Sequence, residues 1–200
     1  MSLQDIVGLS DAQEHRLVRM LQLGLLGLLV YGVVVLQGGV IAPAAIGLCV
    51  TVLPAVLRRE YGYSMDAGLV LWITVAVVLH TIGSIGVYER FQWFDEITHV
   101  VSATIVAGVG YAAFRAIEQH TDEVDAPGAF RAVFIVVFVL AAAVVWEIFE
   151  FALGDYITVY GIDDIVTDMI ANTAGAMLMA IWGTGYVDGL ITFFRERLRA

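Results

Sequence analysis

The chain has 200 residues, 60% of them hydrophobic and only 15% charged, with a mean hydropathy of +0.86 and a net charge of −10. That balance excludes an ordinary soluble domain, and ten arginines with no lysine against 20 carboxylates exclude a basic nucleic-acid surface. A single cysteine, Cys49, excludes an intrachain disulfide and a cysteine-based zinc site.

A helix that crosses a bilayer needs roughly 20 mostly apolar residues. Six stretches meet that requirement: residues 17–36, 39–57, 68–87, 97–116, 130–153 and 165–187. They predict an all-α, polytopic membrane helix bundle of about six transmembrane helices, a single integral membrane domain over residues 1–200. The segment 1–15 before the first span carries Asp5, Asp11 and Glu14, which argues against a cleaved signal peptide. Small-residue stretches such as "GLLGLL" in the first span permit pairing with a second copy of the chain. Pro43 and Pro54 bracket the second span and are read as kink sites. The longest linker, "EQHTDEVDAPGAF", is polar, contains Pro127 and reads as a surface loop.

Arginine-rich loops stay cytoplasmic. Arg16, Arg19, Arg58, Arg59, Arg115, Arg131, Arg195, Arg197 and Arg199 fall on one side of the predicted spans and Arg90 alone on the other. Both termini, including the tail 190–200, are therefore expected in the cytoplasm, with the protein in the plasma membrane of a prokaryotic cell. The acidic, lysine-free composition is compatible with a salt-loving source.

With this orientation, polar residues can be compared by depth along the later spans. His80 lies in the outer half of the third span, where a lone histidine reads as a satisfied core residue. In the fourth, "WFDEITH" places Asp95 at the outer lip and His99 roughly 6 Å deeper on the same side. In the fifth, "WEIFEF" puts Glu147 and Glu150 three residues apart near the same face, and in the sixth, "DDIVTDMIANTAGA" puts Asp164, Asp168 and Asn172 on one side at four-residue spacing. The expected site is therefore Asp95, His99, Glu147, Glu150, Asp164, Asp168 and Asn172. Ala103, Ala107, Ala143 and Gly175 beside them suit close helix approach. Asp95, Glu96, Asp163 and Asp164 also suit solvated helix N-termini, whereas an ionised carboxylate as deep as Glu147 or Asp168 costs a few kcal/mol in hydrocarbon. The tryptophans and tyrosines near span ends read as an aromatic belt.

These three motifs resemble the YjdF-like family of inner-membrane proteins and, more distantly, the VanZ-like family, over roughly residues 68–182. In both families an Asp-x3-His opens one span, an acidic pair or Glu-x2-Gln ends the next, and an Asp-rich segment with Asp-x3-Asn-x2-Gly opens the last. Here these elements are Asp95 and His99, then Glu147 and Glu150, then Asp164, Asp168, Asn172 and Gly175, with Asp155 as a further match to the YjdF-like pattern. Position 150 is Glu where the VanZ-like pattern has Gln. The VanZ-like association with glycopeptide resistance implies an outward-facing site acting at the cell envelope.

Three functions follow from the residues. The first is an enzyme or ligand-binding protein for a lipid or lipid-linked envelope substrate in the bilayer. It would use a divalent metal ion on His99, Glu147, Glu150 and Asp168, or a carboxylate as general base. The second is a cation or proton transporter using a carboxylate-histidine relay. The inner halves of the last three spans hold almost no ionisable residues to continue such a path. The third is a structural membrane scaffold, for which interhelical polar contacts at about 0.6 kcal/mol each give little return on buried carboxylates.

Overall fold

The computed structural model describes residues 9–121, 123–152, 154, 161–183 and 187–198. Asp155, Tyr156, Tyr160, Arg199 and the side chain of Trp182 lie outside the described residues. Every element among those described is helical. Six helices are long and apolar enough to cross a membrane: α1 (Asp11–Val35), α2 (Gly38–Tyr61), α3 (Ala67–Arg90), α4 (Trp93–His120), α5 (Gly128–Ala152) and α6 (Ile162–Ile181). A seventh, α7 (Asp188–Leu198), is short and amphipathic.

The helices outrun the apolar stretches that announce them because polar residues supply their ends. α1 begins at Asp11, with Asp11 and Glu14 in its first turn, where carboxylates meet the positive end of the helix dipole. Ahead of it the Ser10 backbone N–H donates to Gln13 Oε1 at 2.8 Å, one arm of a capping box. Asp66 caps α3 by accepting from the Leu69 N–H at 3.2 Å. α4 begins at Trp93, so Asp95 and Glu96 fall inside its first turn. Pro43 and Pro54 both lie within α2, which runs through them.

Helices α1, α2 and α3 pack on one another, and α4 packs against α5, α6 and α7, with α3 against α4 joining the two groups. α1 and α2 are joined through Leu36, which sits in the left-handed region at φ 56°, and Gln37. Gly32 lets the two helices close: a Cβ there would stand 3.1 Å from the Ile41 backbone nitrogen. The most extensive pairing is α4 with α6. Gly175 faces Val100 and Ala103, and Asp168 faces Asp95 and His99, so the register ascends along both helices and they run parallel. A Cβ on Gly175 would meet the Val100 carbonyl oxygen at 2.4 Å. Only glycine permits this approach, and Ala103 and Ala107, both fully buried, extend it.

The core lies between α4, α5, α6 and α7, built on Ala107, Ala112, Ile135, Val139, Ala176, Leu190 and Ile191. Residues expected as part of a tail thus form a helix docked on the bundle. Phe193 stacks on Tyr63 at 4.5 Å, and Arg197 donates to the Tyr61 carbonyl at 2.9 Å. Leucines, valines and phenylalanines cover the outer faces of α1 and α5, from Val34 to Phe151, as expected of surfaces solvated by lipid.

Candidate functional site

At the Asp95 end of the bundle, α4 and α6 meet in a polar layer. Fixed by the Gly175 approach, α6 presents Asp168 and Asn172 to α4 on its buried side. His99 Nε2 stands 3.5 Å from Asp95 Oδ1 and 3.5 Å from Asp168 Oδ1, and its Nδ1 lies 3.3 Å from Asn172 Nδ2. Asp95, His99 and Asp168 each offer an atom within 4.8 Å of the others, close enough that one ion could contact all three. Asp168 is 2% exposed, yet its Oδ1 has no hydrogen-bond partner.

Further carboxylates ring this triad. Glu147 and Glu150 of α5 and Asp164 of α6 lie within electrostatic reach of Asp95 and Asp168. Glu147 Oε1 and Glu96 Oε2 are buried without a hydrogen-bond partner. No arginine is paired with any of these groups among the described residues; the Arg–carboxylate pairs found there are Arg59 with Glu60, and Arg115 and Arg131 with Glu118. The seven residues expected from the sequence therefore converge on one end of the bundle. The triad combines His99 and Asp168 with Asp95, where the sequence-based ligand set has Glu147 and Glu150.

Sequence reasoning missed a second polar string behind the triad. His80 Nδ1 lies 2.9 Å from the Tyr88 hydroxyl, and its Nε2 lies 2.9 Å from Ser102 Oγ. The Tyr88 hydroxyl is also 3.2 Å from Thr98 Oγ1, and Thr98 donates to the Asp95 carbonyl at 2.8 Å. The His80 ring meets His99 edge-on, centroids 5.5 Å apart. Tyr88 reaches back because α3 kinks at Gly83–Val87, where Ile85 (φ −91°, ψ 21°) and Gly86 (φ 106°) leave helical geometry. A Cβ on Gly83 would stand 2.0 Å from Tyr88 Cζ, so the bare glycine gives the ring its seat. The available signal was depth: His80 lies level with the cluster, although a lone histidine followed by Thr81 reads as core. Tyr88 reads as belt because regular helical spacing does not fold it under Gly83.

Between α4 and α6 runs a groove of about 250 Å³ bordered by Glu96, Val100, Thr167, Ala171 and Ala174. Its walls are almost wholly apolar, and Glu96 among them lies within electrostatic reach of Asp95 and His99.

At the opposite end of α4, Glu118 is buried but fully engaged. It accepts from Arg131 Nη2 at 2.8 Å and from the Ala126 N–H at 2.9 Å, and pairs with Arg115. This clamp ties Ala126, in the loop before α5, to the bundle.

Residues 17–189 match the family described as "Predicted membrane protein (DUF2238)". The chain belongs to this family. Membership agrees with the YjdF-like resemblance; no comparison adds support to the VanZ-like one. An "Uncharacterized protein" of Thermotoga maritima is similar to the chain, 32% identical over 117 residues that cover 55% of this chain and 58% of the relative. The match thus spans little more than half of that bacterial protein. No solved structure matches.

Proposed function

We propose that this DUF2238 member holds a divalent cation on Asp95, His99 and Asp168 and uses it on a lipid or lipid-linked substrate at the membrane surface. The reading rests on one observation: three ligand atoms within 4.8 Å of one another, with Asp168 Oδ1 buried and unbonded. A buried carboxylate oxygen without a donor costs free energy that a cation would repay. One imidazole nitrogen and two carboxylates suit Zn or Mn, and remaining coordination positions would hold water. Asn172 supports either state of His99: its amide N–H donates to Nδ1 in the metal-free ring, and its carbonyl, once turned, accepts Nδ1–H when Nε2 binds the cation. The groove headed by Glu96 offers an acyl chain a seat beside the site, and the arginine distribution turns this end toward the outer leaflet.

Transport draws less support. The buried carboxylate at the far end of α4, Glu118, is committed to two arginines and a backbone amide and offers no continuation of a relay.

The test is elemental analysis of chelator-washed, detergent-purified protein reloaded with Zn²⁺ or Mn²⁺. Near-stoichiometric retention is expected in the wild type and loss in Asp168→Asn and His99→Ala. Equal retention in all three proteins would place any bound metal elsewhere.

A further inference from the structure

The string behind the triad has more contacts than hydrogens, and counting them fixes its direction. Thr98 has one hydroxyl hydrogen and three oxygens near it: the Asp95 carbonyl at 2.8 Å, the Tyr88 hydroxyl at 3.2 Å and Asp95 Oδ1 at 3.4 Å. The shortest contact takes the hydrogen, and a carbonyl can only accept. In the Tyr88–Thr98 contact Tyr88 is therefore the donor, which spends its only hydrogen. The Tyr88 oxygen must then accept in its 2.9 Å contact with His80, so His80 Nδ1 carries hydrogen. An imidazolium between two hydroxyls, with no carboxylate paired to it among the described residues, is costly within a bilayer. The ring is then neutral, and Nε2 accepts from Ser102 Oγ.

We infer that Ser102, His80, Tyr88 and Thr98 form a directed chain of donors ending on Asp95, which holds His80 as the Nδ1–H tautomer and makes Tyr88 a positioning residue of the cation site. The inference rests on the proposed site for its purpose and on the hydrogen count for its content. Tyr88 acts on two of the three triad residues. Through Thr98 it steadies the turn that carries Asp95, and through His80 it fixes the ring packed edge-on against His99. The kink at Gly83–Val87 delivers that hydroxyl, since Gly83 removes the one side chain that would stand in its path.

The experiment is ¹⁵N NMR of histidine side chains in lipid nanodiscs, with His80 assigned by its absence in His80→Gln, paired with Zn²⁺ titration of the same samples. Wild type is expected to show His80 protonated at Nδ1 and bare at Nε2. Thr98→Val is the discriminating variant. It keeps the side-chain shape but removes the acceptor for Tyr88, which then donates to His80 Nδ1 and drives the hydrogen to Nε2. Tyr88→Phe keeps the ring on Gly83, deletes the hydroxyl and should erase the single-tautomer signature, with Zn²⁺ affinity falling about 10-fold in protein that stays folded. An Nε2–H tautomer in wild type, or the wild-type tautomer retained in Thr98→Val, overturns the chain. Unchanged Zn²⁺ affinity in Tyr88→Phe overturns the positioning role. Wild type that binds no Zn²⁺ overturns the cation reading and the positioning role with it, while the tautomers still decide the chain.

Discussion

The two ends of α4 each bury a carboxylate, and they treat it in opposite ways. Glu118 meets Arg115, Arg131 and the Ala126 N–H, so every strong demand of its charge is answered from within the protein. Asp168, buried against the other end of α4, meets a histidine at 3.5 Å, further carboxylates and one empty lone pair. The same helix therefore carries a finished ion pair and an unfinished one. The protein completes such a cluster with arginine at one end and not at the other.

The largest expected effect breaks the finished end. Glu118→Gln removes the charge that Arg115 and Arg131 share and weakens the hold on Ala126, a loss of about 3 kcal/mol, the low end for a buried pair because both arginines stay part-exposed. Thermal unfolding in detergent measures it. Asp168→Asn in chelated protein should keep or raise the unfolding temperature, because it removes a charge from a repelling set. A drop as large as that of Glu118→Gln would make the two ends alike and the cluster a scaffold.

Next in size is the response to cation. At a concentration of Mn²⁺ or Zn²⁺ about 100 times Kd, wild type should gain about 2.7 kcal/mol and Asp168→Asn nothing. Gly175→Ala follows, at about 1–3 kcal/mol of overpacking, since its Cβ would meet a backbone oxygen that cannot swing aside. The same variant should lower Mn²⁺ uptake, because Asn172 sits one turn away on the displaced face. Smallest is Arg59→Ala, which removes an exposed pair with Glu60 and should leave the unfolding temperature unchanged.

Much of this was legible in the sequence, and the reasons differ by residue. Six spans follow from apolar length alone, because a bilayer imposes one rule on all of them. Asp95, His99, Asp168 and Asn172 were legible because four-residue spacing puts them on one side of regular helices whose N-termini share a face. The choice of Asp95 over Glu147 and Glu150 beside His99 was not, since it depends on how closely Gly175 draws α6 onto α4. His80 and Tyr88 escaped because their meeting needs the kink at Ile85 and Gly86, which breaks the period on which helical reading relies. Glu118 was passed over for the opposite reason: a charge at a span end reads as solvated, and its partner Arg131 lies 13 residues away across a linker.

The parallel pairing of α4 with α6 also sets an order in time. Asp95 and His99 leave the ribosome some seventy residues ahead of Asp168 and Asn172. The growing chain therefore holds half of its polar layer in the membrane until the last long span is inserted beside it. Packing of Gly175 of α6 onto Val100 and Ala103 of α4 is the contact that closes this layer.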